Sequence, residues 1–213
     1  MLLTLGKKEY VIPEKWTQVK LGSYQKFMLN TAGDLEKHTS NMNAINAIVG
    51  VEHEVLEKCK ASDVNEIVNA LEKLATTKIN ETLNLVITID DVDYGFHPNL
   101  KEMTFAEFVD LDNYLENPLE NLHKIMGVLY RPINNLKKKG YDIVPYDSVN
   151  SLQNAKLFQD KLSIATVNGA AAFFLNIGQE YLIILQSYLK SRKRRSTIEI
   201  PNNNSAKSGV GTE

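Results

Sequence analysis

The sequence predicts an α+β fold, mostly helical, in which two copies of a β-hairpin followed by a helix pack with further helices and a long C-terminal helix. Three observations predict it. Residues 2–27 and 86–111 keep the same apolar register, without a gap, at an offset of 84 residues. Both windows begin with the alternation of a half-buried strand. A long apolar stretch follows Gly169 near the end of the chain.

Each copy of the repeat reads as a hairpin and then a helix. Leu3-Thr4-Leu5 and Ile87-Thr88-Ile89 have the period of two that is typical of strands. Turn residues, a second strand and a terminating proline follow in both copies, at Gly6-Lys7-Lys8 and Asp90-Asp91, at Tyr10, Ile12, Tyr94 and Phe96, and at Pro13 and Pro98. A short helix with apolar residues three apart comes next, at Leu21, Tyr24 and Phe27 and at Phe105, Phe108 and Leu111.

The repeat sets the predicted domain organisation. We expect one α+β domain over residues 1–195, with the repeat at about 1–83 and 84–165, a long C-terminal helix at about 170–190, and a flexible polar tail at 196–213. Helices are also predicted at about Asn41 to Lys58, from Ser62 or Asp63, from Asn117-Pro118-Leu119-Glu120 up to Pro132, and after a cap at Asp147 or Ser148, with an interruption at Asn168-Gly169.

The C-terminal helix carries apolar residues at alternating spacings of three and four. They form a stripe that we expect to face a partner or the centre of the domain: Phe174, Ile177, Tyr181, Ile184 and Tyr188. The apolar stretch also holds Asn176, Gln179, Glu180 and Gln186, a set that a lipid-facing span rarely tolerates. We therefore predict a buried or partner-facing helix and no membrane role.

A basic cluster follows that helix. Five of its six residues are cationic: Lys190, Arg192, Lys193, Arg194 and Arg195. Such a cluster could contact an acidic partner or the phosphates of nucleic acid. A helix C-terminus also favours cations, because the helix dipole is negative there. The formal net charge of −2 gives no global field that would attract DNA, so DNA binding is kept open but not favoured.

Other titratable clusters have simpler explanations. Glu52-His53-Glu54 with Cys59 reads as a solvated helix face, and the acidic turn at Asp90, Asp91 and Asp93 lacks the spaced oxygen ligands of a calcium loop. The chain contains none of the GxGxxG, GxxxxGK[ST], HExxH or GxSxG motifs. We therefore expect a non-enzymatic protein, with no catalytic residue, metal ligand or cofactor.

Several stretches resemble proteins from the structural gene blocks of tailed bacteriophages, in particular phages of Bacteroidetes hosts, including the crass-like group. The resemblance lies in Ile12 to Trp16, Leu21 to Lys26, Met103 to Leu111, Asn121 to Tyr130 and Gly169 to Leu175. It implies a virion component, either packaged cargo or a portal- or tail-associated protein, or a chaperone of tail assembly. It supplies no catalytic residue.

Three functions remain open from the sequence. The first is a virion protein that acts by protein–protein contact, with other phage structural proteins as partners and a homo-oligomer as a further option. The second is a tail assembly chaperone absent from the mature particle. The third is a nucleic-acid-binding accessory protein that uses the basic cluster. The expected location is the virion, or the host cytoplasm during assembly.

Overall fold

The computed structural model describes residues 1–6, 8–79 and 81–173. These residues confirm the predicted α+β fold, with two small antiparallel sheets among packed helices. They also contain both predicted hairpin-and-helix units, which we call the first unit (residues 2–30) and the second unit (residues 86–115).

The two units share one order of elements. The first unit consists of strands β1 (Leu2–Leu5) and β2 (Lys8–Val11), a 3₁₀ turn (Trp16–Gln18) and helix α1 (Leu21–Asn30). The second unit consists of strands β3 (Val86–Ile89) and β4 (Val92–Phe96), a 3₁₀ turn (Leu100–Glu102) and helix α5 (Phe105–Leu115). Each of these elements begins 84 residues after its counterpart, so the offset read from the sequence also holds in the backbone.

Both hairpins turn through two residues. In the second unit, Asp90 and Asp91 have positive φ angles of 47° and 64°, which is the conformation of a type I′ turn. In the first unit the residue that matches Asp90 is Gly6, with φ of 63°. Since glycine enters this region without a Cβ penalty, Gly6 is less strained than its counterpart Asp90.

The hairpins belong to different sheets. The first stays two-stranded, whereas the second is extended by strands β5 (Tyr130–Leu136) and β6 (Tyr141–Ile143) in the order β3-β4-β5-β6. The ring of Tyr141 packs against the backbone of Gly95 in β4. A Cβ at this position would stand 2.3 Å from the ring, so only glycine leaves room for it. The tyrosine hydroxyl then donates to the carbonyls of Leu85 and Phe96, at 2.8 and 2.9 Å.

Three helices follow the first unit: α2 (Lys37–Val49), α3 (His53–Leu56) and α4 (Ala61–Ala75). The prediction of one helix from Asn41 to Lys58 is wrong, because Gly50 adopts a left-handed conformation (φ 79°) and ends α2. The predicted cap at Ser62 or Asp63 is also wrong, since α4 begins earlier, after Lys60. One hydrophobic cluster joins the first hairpin to these helices: Leu5, Tyr10, Ile12, Met42, Ile45, Val51, Leu56 and Ile67.

Helix α6 (Leu122–Leu129) starts later than predicted. Asn117-Pro118-Leu119-Glu120 forms turns, and Asn121 is the N-cap residue. Pro132 does not end this helix. It lies inside β5, opposite Tyr94, after the helix has already ended at Leu129.

Helix α7 (Ser148–Lys161) begins at the predicted cap, where Asp147 accepts a hydrogen bond from the backbone N–H of Asn150. Residues 164–173 form the described part of helix α8, which begins six residues before the predicted start at 170. Gly169 therefore lies inside a helix and does not interrupt it. A Cβ there would stand 2.0 Å from the Thr82 carbonyl, so glycine permits the close contact.

An aromatic core backs the second hairpin. Tyr94 meets Phe158 of α7 edge-on at 5.1 Å between ring centroids, and Phe96 meets Tyr130 and Phe173 at 5.3 and 5.6 Å. The remainder of the predicted C-terminal helix and the polar tail lie outside the described residues. Among the described helices, none is long and apolar enough to cross a membrane. The predicted domain limits stay predictions.

Candidate functional site

The site residues predicted from the sequence lie outside the part of the chain that the structure describes. This holds for the apolar stripe Phe174, Ile177, Tyr181, Ile184 and Tyr188 and for the basic cluster Lys190, Arg192, Lys193, Arg194 and Arg195. Within the described residues, a different surface stands out, and the comparison of the two units identifies it.

The first residue of the helix has opposite environments in the two units. Leu21, which begins α1, is fully buried, with 0% of its surface exposed. Phe105, which begins α5 at the matching position, is 81% exposed. Aromatic side chains are enriched at protein interfaces. The second unit therefore presents an apolar anchor that the first unit buries.

The exposed apolar surface continues along α5. Phe105, Val109, Asp112 and Glu116 follow one another at helical spacing, and all four are exposed. We call these four residues the α5 stripe. The segment 104–116 contains four acidic residues and no basic one, so the stripe is apolar at its start and acidic at its end.

A buried carboxylate holds the start of this helix in place. Glu107 is 1% exposed, and its Oε2 accepts hydrogen bonds from the backbone N–H of Thr104 at 2.6 Å and from the Thr104 hydroxyl at 2.7 Å. The Glu107 N–H in turn donates to the Thr104 hydroxyl oxygen at 3.3 Å. This reciprocal capping box fixes the backbone at the N-terminus of α5, next to Phe105.

The other carboxylate oxygen ties the cap to the sheet. Glu107 Oε1 lies 2.7 Å from Nη2 of Arg131 in β5 and 3.4 Å from Nε2 of His97. The Arg131 side chain is only 9% exposed, and its Nε has no hydrogen-bond partner within the described residues. The guanidinium charge is therefore compensated chiefly by Glu107.

The protonation of His97 follows from its surroundings. Burial lowers the pKa of His97, against the opposite effect of the negative charge on Glu107. The backbone N–H of Asn99 donates to Nδ1 of His97 at 3.2 Å, so the neutral ring carries its proton on Nε2, on the side of Glu107. Burial likewise lowers the pKa of Arg131 from its ordinary value. The cluster of Glu107, Arg131 and His97 is thus an ion pair with one neutral histidine.

A shallow cleft of about 160 Å³ opens beside Arg131. Its lining residues come from β5, β6 and the start of α7: Arg131, Pro132, Val144, Pro145, Asp147, Asn150, Ser151 and Asn154. Tyr146 borders the arginine, with the guanidinium 5.8 Å from its ring centroid, and its hydroxyl donates to Asp110 of α5. Burial raises the pKa of Tyr146, and the bond to Asp110 raises it further.

The contacts of this cluster assign it a positioning role. Oε2 of Glu107 accepts hydrogen bonds from Thr104, whereas Oε1 is ion-paired with Arg131 but accepts no hydrogen bond from the described residues. The Tyr146–Asp110 bond joins the base of α7 to α5. Together these contacts fix the position of the α5 backbone beside Phe105. No group of three or more His, Cys, Asp and Glu side chains that could hold a metal ion lies among the residues the structure describes.

The acidic tip of the second hairpin and the cysteine each have a partner within the chain. Asp90 pairs with Lys161 of α7 at 3.2 Å, and the Cys59 thiol donates to the Val55 carbonyl. Burial raises the pKa of Cys59, which disfavours a reactive thiolate.

Comparison with known proteins does not assign the chain to a family. No protein-family model matches the chain, and no curated protein and no solved structure matches it.

Sequence reasoning missed both the α5 stripe and the Glu107 cluster. The capping box could have been found, since Thr104 and Glu107 have its spacing of three. The burial of Glu107 had no sequence signal, because Arg131 belongs to a strand that was predicted as the end of a helix. The exposure of Phe105 could not be predicted from the repeat, because the repeat matches Phe105 with Leu21 and Leu21 is buried.

Proposed function

We propose that this chain is a non-enzymatic structural component of a tailed-phage particle, either packaged cargo or a portal- or tail-associated protein, that works by contact with other phage structural proteins. The observation that carries the proposal is the exposed start of α5, which has a capping box and Phe105 at its first position. The resemblance of several stretches of the sequence to tailed-phage structural proteins supplies the class of assembly.

The α5 stripe has the composition of a contact surface. Covering an exposed phenylalanine is worth about 1.5–3 kcal/mol, and the adjacent Val109 adds to it. Aromatic anchors of this kind dominate the binding energy of many interfaces. Because Thr104 and Glu107 fix the backbone beside Phe105, little entropy is lost when a partner covers the ring.

Mass spectrometry of purified particles tests the proposal. The chain is expected in particles that survive a density gradient, at a copy number fixed relative to the portal protein. If the chain is present in infected cells but missing from the particles, the virion assignment is wrong, and the tail assembly chaperone replaces it.

A matched pair of variants links incorporation to the surface. Phe105→Ser removes the apolar anchor at an exposed position, and Val11→Ser makes the same kind of change at a 62% exposed residue of β2 in the first unit. We expect the first variant to be depleted from particles by at least about tenfold, as the loss of roughly 1.4 kcal/mol of contact energy predicts. The second variant should be incorporated like the wild type. Equal incorporation of the two would contradict a role for the α5 stripe.

A further inference from the structure

The first unit shows what covers the position equivalent to Phe105. Lys20 and Ser163 form an isolated antiparallel β-bridge. The N–H of Leu21 donates to the Leu162 carbonyl at 2.8 Å, and the N–H of Ile164 donates to the Val19 carbonyl at 2.9 Å. The link between α7 and α8, Leu162-Ser163, and the first residue of α8, Ile164, are thus paired with the entry to α1, and Val19 and Leu21 are buried beside them.

The second unit offers the same backbone without that partner. The residue before the helix has φ −68° and ψ 151° at Lys20, and φ −68° and ψ 160° at the equivalent Thr104. In the described part of the chain, the carbonyl of Met103 and the N–H of Phe105 make no backbone hydrogen bond. These two groups correspond to the Val19 carbonyl and the Leu21 N–H, so the second unit keeps an open acceptor and an open donor at the same spacing.

We propose that Met103–Phe105 is a docking edge for an extended segment of another polypeptide, which pairs with it as residues 162–164 pair with the first unit. The inference rests on the proposed function, since it describes how a structural partner would be held. The carbonyl of one partner residue accepts from the Phe105 N–H. Two residues later, a partner N–H donates to the Met103 carbonyl, and the partner side chains cover the Phe105 ring.

The seated segment defines the chemistry of the partner. Leu162 and Ile164 are apolar and lie two residues apart, with Ser163 between them. Because the pairing is antiparallel, the residues before the partner's apolar pair run beside α5, as α7 runs beside α1 in the first unit. Asp112 and Glu116 are exposed on the same helical stripe as Phe105, so cationic residues are expected before the apolar pair. The expected partner segment therefore has one or more basic residues, followed by two apolar residues that are separated by one residue of any type.

The partner is assigned to another polypeptide for a structural reason. The segment of this type that the structure describes, Leu162–Ile164, is already paired within its own chain. A second copy of the folded protein cannot lend it without opening its own first unit.

A peptide titration on the full-length protein tests the edge directly. The probe is the peptide of residues 160–166, which carries Lys161 ahead of the apolar pair, and the readout is the amide spectrum of ¹⁵N-labelled protein. We expect shifts confined to residues 103–109 and at least about tenfold slower exchange of the Phe105 amide proton once it is paired. N-methylation of the peptide at the residue matching Ile164 removes one hydrogen bond and should weaken binding about tenfold.

Two protein variants complete the design. Phe105→Asp should abolish binding while preserving α5, because an acidic residue suits the first turn of a helix. Val11→Asp is the matched control on the first unit and should bind as the wild type does. Absence of shifts at residues 103–105 at millimolar peptide, or equal binding by the N-methylated peptide, would overturn the docking edge. Neither outcome touches the particle composition that tests the proposed function.

A second probe separates the occupants. A peptide of residues 192–200 of this chain also places cations before an apolar pair, Ile198 and Ile200. If it binds the edge more tightly than the first probe, and the full-length protein dimerises in a way that Phe105→Asp abolishes, the occupant is a second copy and the assignment to another polypeptide is wrong. A monomer whose residues 103–105 still shift with the first probe supports that assignment, because an edge already filled by residues 192–200 of the same chain would not respond.

Discussion

Replacement of Glu107 by glutamine tests whether the buried carboxylate holds the second unit together. The change keeps the shape of the side chain but removes the charge that compensates Arg131, 2.7 Å away. It also weakens the hydrogen bonds that Thr104 donates at 2.6 and 2.7 Å. Loss of one partner of a buried ion pair costs about 3–5 kcal/mol, because the other charge stays buried without compensation.

That cost is a large part of the stability of a typical domain, which is about 5–15 kcal/mol. Urea unfolding followed by circular dichroism measures it. With a slope of about 2 kcal/mol per molar urea, the midpoint of Glu107→Gln should fall by roughly 1.5–2.5 M. Glu116→Gln, at the exposed C-terminal end of the same helix, is the matched control and should change stability by less than about 0.5 kcal/mol.

A double variant separates the ion pair from simple packing. Glu107→Leu together with Arg131→Met removes both charges, and the pair should recover most of the stability that either single change loses. The reasoning is refuted if Glu107→Gln shifts the midpoint no more than Glu116→Gln does. Additive losses in the double variant would also refute it, since they would show that the two side chains act independently.

Three further predictions concern other parts of the fold. Burial lowers the pKa of folded His97, so the unfolded chain takes up a proton first as the pH falls through about 6.5. Stability should therefore decline below that pH by up to about 1.4 kcal/mol per pH unit, and His97→Gln should reduce this decline in unfolding measured at pH 7.5 and 5. Asp91→Gly relieves a positive φ angle of 64° and should stabilise the protein by about 1 kcal/mol, which calorimetry would record as a melting temperature about 2–4 °C higher. Gly127→Ala should destabilise by about 2 kcal/mol in urea unfolding despite the better helix propensity of alanine, because its Cβ would stand 2.4 Å from the Ser151 carbonyl oxygen.

Each of these has an outcome that contradicts it. An unchanged pH slope in His97→Gln would show that the histidine is not held neutral by burial. A lower melting temperature in Asp91→Gly would show that the turn favours its aspartates. For Gly127→Ala, the control is Asn113→Ala on the exposed face of α5, and equal stability of the two would mean that α6 and α7 are not in close contact.

The repeat was predictable because it is written in side-chain alternation and turn residues, which act locally. Leu3-Thr4-Leu5 and Ile87-Thr88-Ile89 specify strands without any tertiary contact, and Gly6 and Asp90 mark the turns between paired strands. The N-cap at Asp147 is likewise a local signal, since its carboxylate bonds a backbone N–H three residues on.

The errors arose where tertiary contacts override local preference. Pro132 lies in β5 opposite Tyr94, and its carbonyl accepts a hydrogen bond from the Val144 N–H, although proline suggests a helix end. Gly169 lies inside α8, where its missing Cβ leaves room for the Thr82 carbonyl. The helix end at Gly50 is different, because its left-handed backbone is a local signal. The sequence did not predict the candidate site because Glu107 pairs with Arg131 across the fold. Arg131 lies in β5, a strand that the local pattern did not predict.

The central claim is that the chain works through a partner held at the start of α5, and site-specific photo-crosslinking in assembled particles tests it most directly. A photoreactive phenylalanine at position 105 should crosslink in high yield to one other structural protein of the particle, through a segment with two apolar residues two apart. The same residue at position 11, the exposed control in the first unit, should give no such product. Equal crosslinking from the two positions, or none from position 105 in particles that contain the chain, would contradict the claim.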